Sequence, residues 1–517
     1  MRTGFFLLIS LWAGCAAAQE YARERLPDLL TWDELRVLGE QDPPPPELAA
    51  KAAALSKTPF VNNEAWFRGV RASGVDAPRL GRSLRLMLWN VERGLRLDEI
   101  TTMYTDTKKF LANADLEDAV QGAELADHIA ALRKADIVIL NELDWGLKRT
   151  GYREVVRELG AALDMNWAYA VEFFEVDPVR LGTEKFAGLD DTEAEESARL
   201  RAELVVDQAR YKGLHGTAIL SRYPIREATA RPFNTIGYDW YGAEKDKVSR
   251  VEKGKRLASE KLFLETILRE IRRGGRTVLT VTLDVPDAPG GSITVVAPHL
   301  ENRCKPAKRL EQFRELMAHL KGAANTVVVA GDLNTSMTDA QPTTLRREFY
   351  KRVGSAEFWA TRGLKWATGL GLAYDIVAGG VNTLKNLNDP TAKHIPIVAP
   401  NPEAELFEYL EKVRFDDGGR FDFRGDRTRS GGRDGTLANS NQRAEKGFVP
   451  TYSLTRTYGP IGQFKLDWFF VKVPAGNGFR FAPHFPRTYQ KLNHSYADRL
   501  SDHSPITVDL PFNEPTL

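Results

Sequence analysis

The sequence predicts an α/β fold built on mixed β-sheets, and three observations predict it. First, apolar runs recur between residues 84 and 510, each carrying a polar residue at or near one end: LRLMLWNVERG (84–94), ADIVILNELD (135–144), ITVVAPHLEN (293–302), NTVVVAGDLNTS (325–336), FKLDWFFVKV (464–473) and RLSDHSPITVDL (499–510). Short, β-branched runs of this kind are the signature of buried strands that deliver polar side chains to a sheet's rim. Second, these runs alternate with stretches of helical period. Third, some neighbouring runs are separated by a turn and others by a helix, which points to mixed sheets over a regular βαβ winding.

The elements follow in order. Residues 19–80 read as an N-terminal extension, in which Pro43 to Pro46 form a stiff spacer between two helical pieces, a strap or tether of the main domain. The main domain spans 81–512. From Asp115 to Lys134 the apolar residues Leu116, Val120, Leu125, Ile129 and Leu132 share a helical face, and the segment leads into the run Ile137–Leu140. Tyr152–Leu163 reads as a helix, Ala168–Phe174 as a strand, and the charged stretch 184–207 as helical. GTAILSRYPI (216–225) is a strand closed by a proline-marked turn. After a polar, net basic connection (231–276), TVLTVTLDV (277–285) and ITVVAP are joined by a hairpin turn at Pro286 to Gly291. Lys308–Leu320 is a helix and Thr326–Ala330 a strand. Residues 340–450 lack a readable period and read as an irregular insertion, with 415–435 rich in Gly, Arg and Asp.

The bulk numbers set the class. With 517 residues, 43% hydrophobic and 27% charged, the chain is globular. Its 71 basic and 70 acidic residues give a net charge of +1, so no global field recruits nucleic acid or an anionic membrane. The N-terminus reads as a signal peptide (1–18): Arg2 precedes an apolar run, Phe5 to Ala13, and Ala16 to Ala18 supply small residues before Gln19. The run is short for a membrane span. Export to the periplasm or the extracellular space is the expectation, with lipidation at Cys15 the lesser reading because Trp12 stands where such cleavage boxes favour Leu. Cys304 is the one cysteine left in the body, so no internal disulfide is expected.

Four carboxylates, Glu142, Asp332, Asp467 and Asp502, adjoin apolar runs, where a bare anion is costly. A hard divalent cation offsets that cost, and oxygen ligands suit magnesium or manganese over zinc. Asn90 and Asn334 add neutral oxygens, and His299 and His503 can move protons or donate to a phosphoryl oxygen. A metal, two imidazoles and several carboxylates compose a site for metal-assisted hydrolysis of a phosphate ester. Zinc-finger spacing, HExxH, GxSxG and the Walker loop are all missing.

The strings WN, NE, GTAILSRYPI, HLEN, GDLN, LDWFFV and SDHSPI together resemble the endonuclease/exonuclease/phosphatase superfamily, which includes exonuclease III, deoxyribonuclease I, neutral sphingomyelinases and inositol polyphosphate 5-phosphatases. The resemblance runs from about Leu84 to Leu510 in the family's order. It implies a four-layer α/β sandwich, two packed mixed β-sheets with helices outside. It further implies that Asn90 and Glu142 hold the catalytic metal, Mg2+ or Mn2+, with Asp502 completing or bordering the site. Asp332 and Asn334 would position and activate the attacking water. His503 would contact the scissile phosphate or take the water's proton, with Asp467 orienting its ring. His299 would stabilise developing charge or assist the leaving group, and which group is the base stays open. Two positions depart from the pattern: Asn141 stands where Gln usually precedes the metal-binding Glu, and Thr217 where Asn is frequent. His215, just upstream, is a candidate substrate contact.

Each residue has a structural alternative. An Asp or Asn after a strand is commonly a turn former or cap, and a lone His at a strand end is commonly hydrogen-bonded core. The complete set in order weighs for function. His128, His319, His394, His484 and His494 have no such context. The partner expected is a phosphate ester, phosphodiester favoured. Nuclease, sphingomyelinase-like and 5-phosphatase-like activities are the alternatives, with a catalytically silent binding module as the non-enzyme one. Nucleic acid stays open though the net charge disfavours it. Membrane lipid also stays open, with Trp240 and Tyr241 as the candidate contact and core packing as their rival reading. No obligate protein partner is evident. Arg303, Lys305, Lys308 and Arg309 form either a phosphate-facing patch or, by preference, a solvated helix start. The Arg-rich 414–433 stretch reads as a solvated loop.

Overall fold

Alternation along single strands shows how the layers are built. In the strand Gly81–Arg93, Leu84, Leu86 and Leu88 enter one buried cluster while Met87, Trp89 and Val91 enter another. In the strand Thr326–Asp332, Val328 and Ala330 join the first cluster and Val327 and Val329 a third. Successive side chains point to opposite faces of a strand, so each sheet must be covered on both sides. The first cluster fills the space between two sheets. The other two lie under helices, and the protein is a four-layer α/β sandwich.

The computed structural model describes residues 21–77, 80–184, 202, 204–245, 270–336, 401–422, 443–444, 447–448, 450–453, 463–476, 481, 483–496 and 499–513. The expected signal peptide, most of the charged stretch 184–207 and most of 340–450 lie outside them. Among the described residues no helix is long and apolar enough to cross a membrane.

The larger, ten-stranded sheet runs in the order Glu24–Arg25, Phe60–Asn62, Asn166–Glu175, Leu214–Ser221, Ile137–Trp145, Gly81–Arg93, Ile506–Pro511 and His484–Thr488, with Val75–Ala77 and Arg272–Gly274 pairing off this path. The six-stranded sheet runs Arg420–Phe421, Asp467–Val473, Thr326–Asp332, Ser292–Ala297, Thr277–Asp284 and Ile225–Pro232. Each sheet contains one parallel pair: Gly81–Arg93 with Ile137–Trp145, and Ser292–Ala297 with Thr326–Asp332. Parallel neighbours need a long crossover. The helix Ala119–Arg133 lies on the first connection and Pro306–Leu320 on the second. The hairpin expected at 286–291 closes the antiparallel pair Thr277–Asp284 and Ser292–Ala297.

Three sequence expectations are corrected. The apolar face of the 115–134 helix begins at Leu125: Asp118 caps the helix, Leu116 precedes it, and Val120 is 76% exposed. The helix expected from Tyr152 starts at Val155, because Tyr152 sits at φ 63°, outside the helical region. Within the stretch read as irregular, Ala404–Lys412 is a helix whose Leu406, Phe407 and Leu410 pack on the smaller sheet, with the Phe407 ring 4.7 Å from that of Trp468. The N-terminal strap packs on the domain. Its helices Trp32–Glu40 and Pro46–Lys57 flank the proline run, Pro46 taking the first helical position, and its short strands extend the larger sheet.

Candidate active site

Strand register decides which polar residues meet. Asn90 lies opposite Asn141 in the parallel pair of the larger sheet, and Asp332 lies opposite Asp467 in the smaller one. The two sheets are joined at these ends: Asn90 Nδ2 donates to Asp332 Oδ2 at 3.2 Å, and the Asp332 amide donates to Asn141 Oδ1 at 2.9 Å. Gly331 permits a close approach here, since a Cβ at that position would lie 1.9 Å from the Pro298 carbonyl oxygen. The HLEN segment is thereby pressed against GDLN. Leu300 N–H donates to the Asp332 carbonyl at 3.0 Å, Asn334 Nδ2 donates to the Leu300 carbonyl at 2.9 Å, and Asn334 N–H donates to Asp332 Oδ1 at 2.8 Å. Asn334 adopts φ 47°, a conformation Asn tolerates better than most residues.

His503 stands on the other side of Asp332. Its Nδ1 is 2.7 Å from Asp467 Oδ2, and its Nε2 is 3.6 Å from Asp332 Oδ2. Burial disfavours the charged ring, but the carboxylates of Asp467, Asp332 and Asp502 overcome this and hold its pKa well above the usual range. Burial raises the pKa of Asp332, with the charge of Asp467 adding to it and the two imidazoles opposing it. The Asp467 carboxyl is pulled below its ordinary value because His503 and the Thr451 hydroxyl outweigh burial. Backbone contacts fix the loop that carries His503. The Ser501 hydroxyl donates to the Asn90 carbonyl at 2.7 Å, Trp89 Nε1 donates to the His503 carbonyl at 2.9 Å, and the Tyr452 ring lies 5.0 Å from the imidazole.

His299 faces Asp332 from the opposite direction. Its Nε2 is 3.7 Å from Asp332 Oδ2 and 3.9 Å from Glu142 Oε1. Behind it, Nδ1 is 2.6 Å from Arg276 Nη1 and 3.3 Å from Glu172 Oε2. Glu142 sits at φ 57° at a bulge in its strand, which turns its side chain out of the ladder. Burial would raise its pKa, yet the positive groups of His299, His215, Arg93 and Arg276 bring it far below the carboxylate norm. Asp502 borders the cluster: its amide donates to Glu92 Oε2 at 2.9 Å, and burial together with the Asp502 charge lifts Glu92 to about 7.

All of the residues singled out in the sequence, Asn90, Glu142, His299, Asp332, Asn334, Asp467, Asp502 and His503, therefore come to one end of the two sheets. The donor atoms of Asp332, Asp467 and His503 all lie within 4.8 Å of one another. The short His503–Asp467 bond makes this group an acid–base pair before it makes it a ligand set. Among the described residues, Asp332, Asp467 and His503 are the group of acidic and imidazole side chains close enough to share one ion; beside them two like charges meet at Glu92 and Asp502, and Asp467 Oδ1 is buried with no hydrogen-bond partner.

Sequence reasoning missed Glu92, Glu172, Arg276 and Thr451. Glu92 sits two residues beyond Asn90 in a string already noted, and that spacing was the available signal. Glu172 and Arg276 come from ordinary strand positions that only folding brings to His299. His215, read as a candidate substrate contact, has its Nδ1 2.9 Å from Asp144 Oδ1, and Arg149 holds that carboxylate at 2.6 and 2.9 Å.

The structure separates the alternatives for two patches. Trp240 and Tyr241 are buried, as core packing reads them: Trp240 Nε1 donates to Glu301 Oε2 at 3.0 Å and the Tyr241 hydroxyl donates to the Gly39 carbonyl at 3.1 Å. Arg309 is fully buried and bonds Glu403, the Ser336 carbonyl and the Cys304 carbonyl, while Lys305 and Lys308 are exposed. The helix start is solvated at its lysines and core at its arginine.

The chain is similar to several solved structures at low identity. An endonuclease/exonuclease/phosphatase from Beutenbergia cavernae is 17% identical, with 83% of this chain and 72% of that one covered and a TM-score of 0.32. The 3'-5' exonuclease NExo from Neisseria meningitidis is 13% identical, with 83% and 99% covered and a TM-score of 0.34. SmcL is 12% identical, with 83% and 99% covered and a TM-score of 0.30. Compared with curated proteins, the chain has no match. The sequence model of the Endonuclease/Exonuclease/phosphatase family matches residues 87–503, nearly the whole of the domain that carries the site. The chain belongs to the endonuclease/exonuclease/phosphatase family.

Proposed function

We propose that this protein is an exported, divalent-metal-dependent phosphoesterase that hydrolyses a phosphate ester, a phosphodiester by preference, through in-line attack of water. The observation that carries the reading is Asp332 held between two imidazoles, with His503 Nε2 at 3.6 Å and His299 Nε2 at 3.7 Å from the same carboxylate oxygen. That arrangement places one acceptor for a water proton between two groups able to neutralise charge on a phosphoryl group. A divalent ion held by Glu142, with Asn90, Glu92 and Asp502 as further oxygens, would supply Lewis-acid stabilisation of the phosphate and lower the pKa of water. Asp332, its pKa raised by burial, accepts the water's proton. His503, kept protonated by Asp467, donates to the phosphoryl oxygens. Asn90 and Asn334 hold Asp332 in place through the bonds described above.

A substrate panel on the purified mature chain tests this, with magnesium or manganese and with EDTA. It comprises bis(p-nitrophenyl) phosphate, p-nitrophenyl phosphate, plasmid DNA, RNA, sphingomyelin and inositol phosphates. The expected result is cleavage of one class that EDTA abolishes and added metal restores. Full activity in chelator would remove the metal mechanism. Silence across the panel with metal bound would favour a binding module. Export predicts a mature chain beginning near Gln19, and an intact mass that includes Met1 would overturn it.

A further inference from the structure

Asp467 and His503 belong to different sheets, yet their side chains bond at 2.7 Å. Asp467 opens the strand Asp467–Val473 of the smaller sheet, whereas His503 lies on the loop that leads into Ile506–Pro511 of the larger one. Ladder bonds join strands within a sheet, so neither ladder holds these two residues together.

The segment 451–453 bonds to both. On the side of Asp467, Thr451 N–H donates to the Phe464 carbonyl at 2.9 Å, and Thr451 Oγ1 accepts the Leu466 amide at 3.1 Å and the Asp467 amide at 3.2 Å. On the side of His503, Ser504 N–H donates to the Thr451 carbonyl at 2.7 Å and Ser453 N–H to the Asp502 carbonyl at 3.0 Å. Between them, Tyr452 pairs with His503 as an isolated antiparallel bridge. A hydroxyl has two lone pairs, and here the two amides take them. Thr451, Leu466 and Asp467 are all buried, so water is not at hand to replace that acceptor. Thr451 is thus the residue whose side chain holds the Asp467 backbone while its own carbonyl holds the residue after His503.

We propose that Thr451 is a positioning residue: by accepting the Leu466 and Asp467 amides, its hydroxyl fixes the start of the Asp467 strand against the His503 loop and so sets the bond between Asp467 and His503. The proposal rests on the phosphoesterase reading for the reaction that this bond serves, but the bond itself is observed without turnover.

The test uses the full mature chain with magnesium and the variants Thr451→Val, which keeps the shape and removes the acceptor, and Thr451→Ser, which keeps the hydroxyl. Crystal structures report the geometry. In Thr451→Val, His503 Nδ1 and Asp467 Oδ2 should separate beyond about 3.5 Å, and in Thr451→Ser they should stay bonded. A Thr451→Val structure that keeps the wild-type bond would overturn the proposal whatever the enzyme hydrolyses. Kinetics on the best substrate give the second readout. Thr451→Val should lower kcat at least about tenfold with KM changed less than about threefold, and Thr451→Ser should stay within about threefold of wild type. In an Asp467→Asn background the Thr451→Val effect should shrink to less than about threefold, because the partner it acts through is already altered. An equal loss in both backgrounds would show a purely structural role and sink the proposal. Should Thr451→Val not fold, a folded Thr451→Ser that has lost the Asp467–His503 bond would overturn it, and one that keeps the bond would support it.

Discussion

Asn141 Nδ2 donates to Thr217 Oγ1 over 3.1 Å, in a part of the molecule where both side chains are fully buried. These are the two positions at which the sequence departs from the family's usual residues, and they bond to each other. The chain of contacts continues in both directions. Asn141 Oδ1 receives the Asp332 amide at 2.9 Å, and the Thr217 hydroxyl donates to Glu172 behind His299. A single polar thread thus links the two halves of the site across both sheets.

Thr217→Val keeps the shape and removes the hydroxyl, leaving Asn141 Nδ2 and a Glu172 oxygen buried without partners. The expected loss is about 2 kcal/mol or more of unfolding free energy, since each orphaned buried group costs roughly 1–3 kcal/mol. Thr217→Ser should lose less than about 1 kcal/mol beyond its missing methyl group. Urea denaturation of the two variants checks this, and equal destabilisation by Val and Ser would show that the hydroxyl does not matter.

Asp332→Asn should leave the protein folded and lower turnover by about 10²–10⁴-fold, the range for removal of a general base. Its Oδ2 accepts from Asn90 and faces both imidazoles, so an amide nitrogen there would present donors to donors. Steady-state kinetics on the best substrate from the panel measures it. Near-normal kcat would remove Asp332 from the chemistry.

Asp136 offers a pH test remote from the site. Burial lifts its carboxyl to about 6, although the Arg85 and Gly74 amides donate to it at 3.2 and 3.4 Å. A raised folded pKa means that the native state binds the proton more tightly than the unfolded chain. Stability from this group is therefore greatest below about pH 4 and falls as pH rises toward 6, by on the order of 3 kcal/mol. Asp136→Asn cannot titrate. The difference in unfolding free energy, variant minus wild type, should grow between pH 4 and pH 7 and then level off. A difference that stays flat across that range would contradict the assignment.

Gly331→Ala should destabilise the protein by about 1–3 kcal/mol, the usual cost of overpacking, because the new methyl group meets the Pro298 carbonyl. It should also depress kcat more than its stability loss explains, since Pro298 adjoins His299 and Gly331 adjoins Asp332. A variant with wild-type kcat would show that the spacing between these two loops is not critical.

Much of this architecture was legible along the chain. The strands Gly81–Arg93, Ile137–Trp145 and Thr326–Asp332 contain the expected runs, because a strand buried on both faces has to be apolar almost throughout. The site residues at their ends stood out because a polar side chain closing such a run is conspicuous. The helix Ala404–Lys412 was not legible, since its nine residues are too short to establish a period between irregular neighbours. Trp240 was read two ways, and only its bond to Glu301 separates a buried wall from an exposed loop.

The amino-acid order by itself determined the fold class, the two kinds of strand connection and the set of carboxylates, amides and imidazoles at the strand ends. Those depend on local period and on residues within a few positions of one another. Tertiary structure alone decided the pairings that give these groups their chemistry: Asp467 on His503, Arg276 and Glu172 on His299, Asn141 on Thr217, and Asp502 beside Glu92. Most of these partners are separated by tens to hundreds of residues. Their meeting is set by strand register and by the packing of one sheet on the other, and neither leaves a mark in any short stretch of sequence.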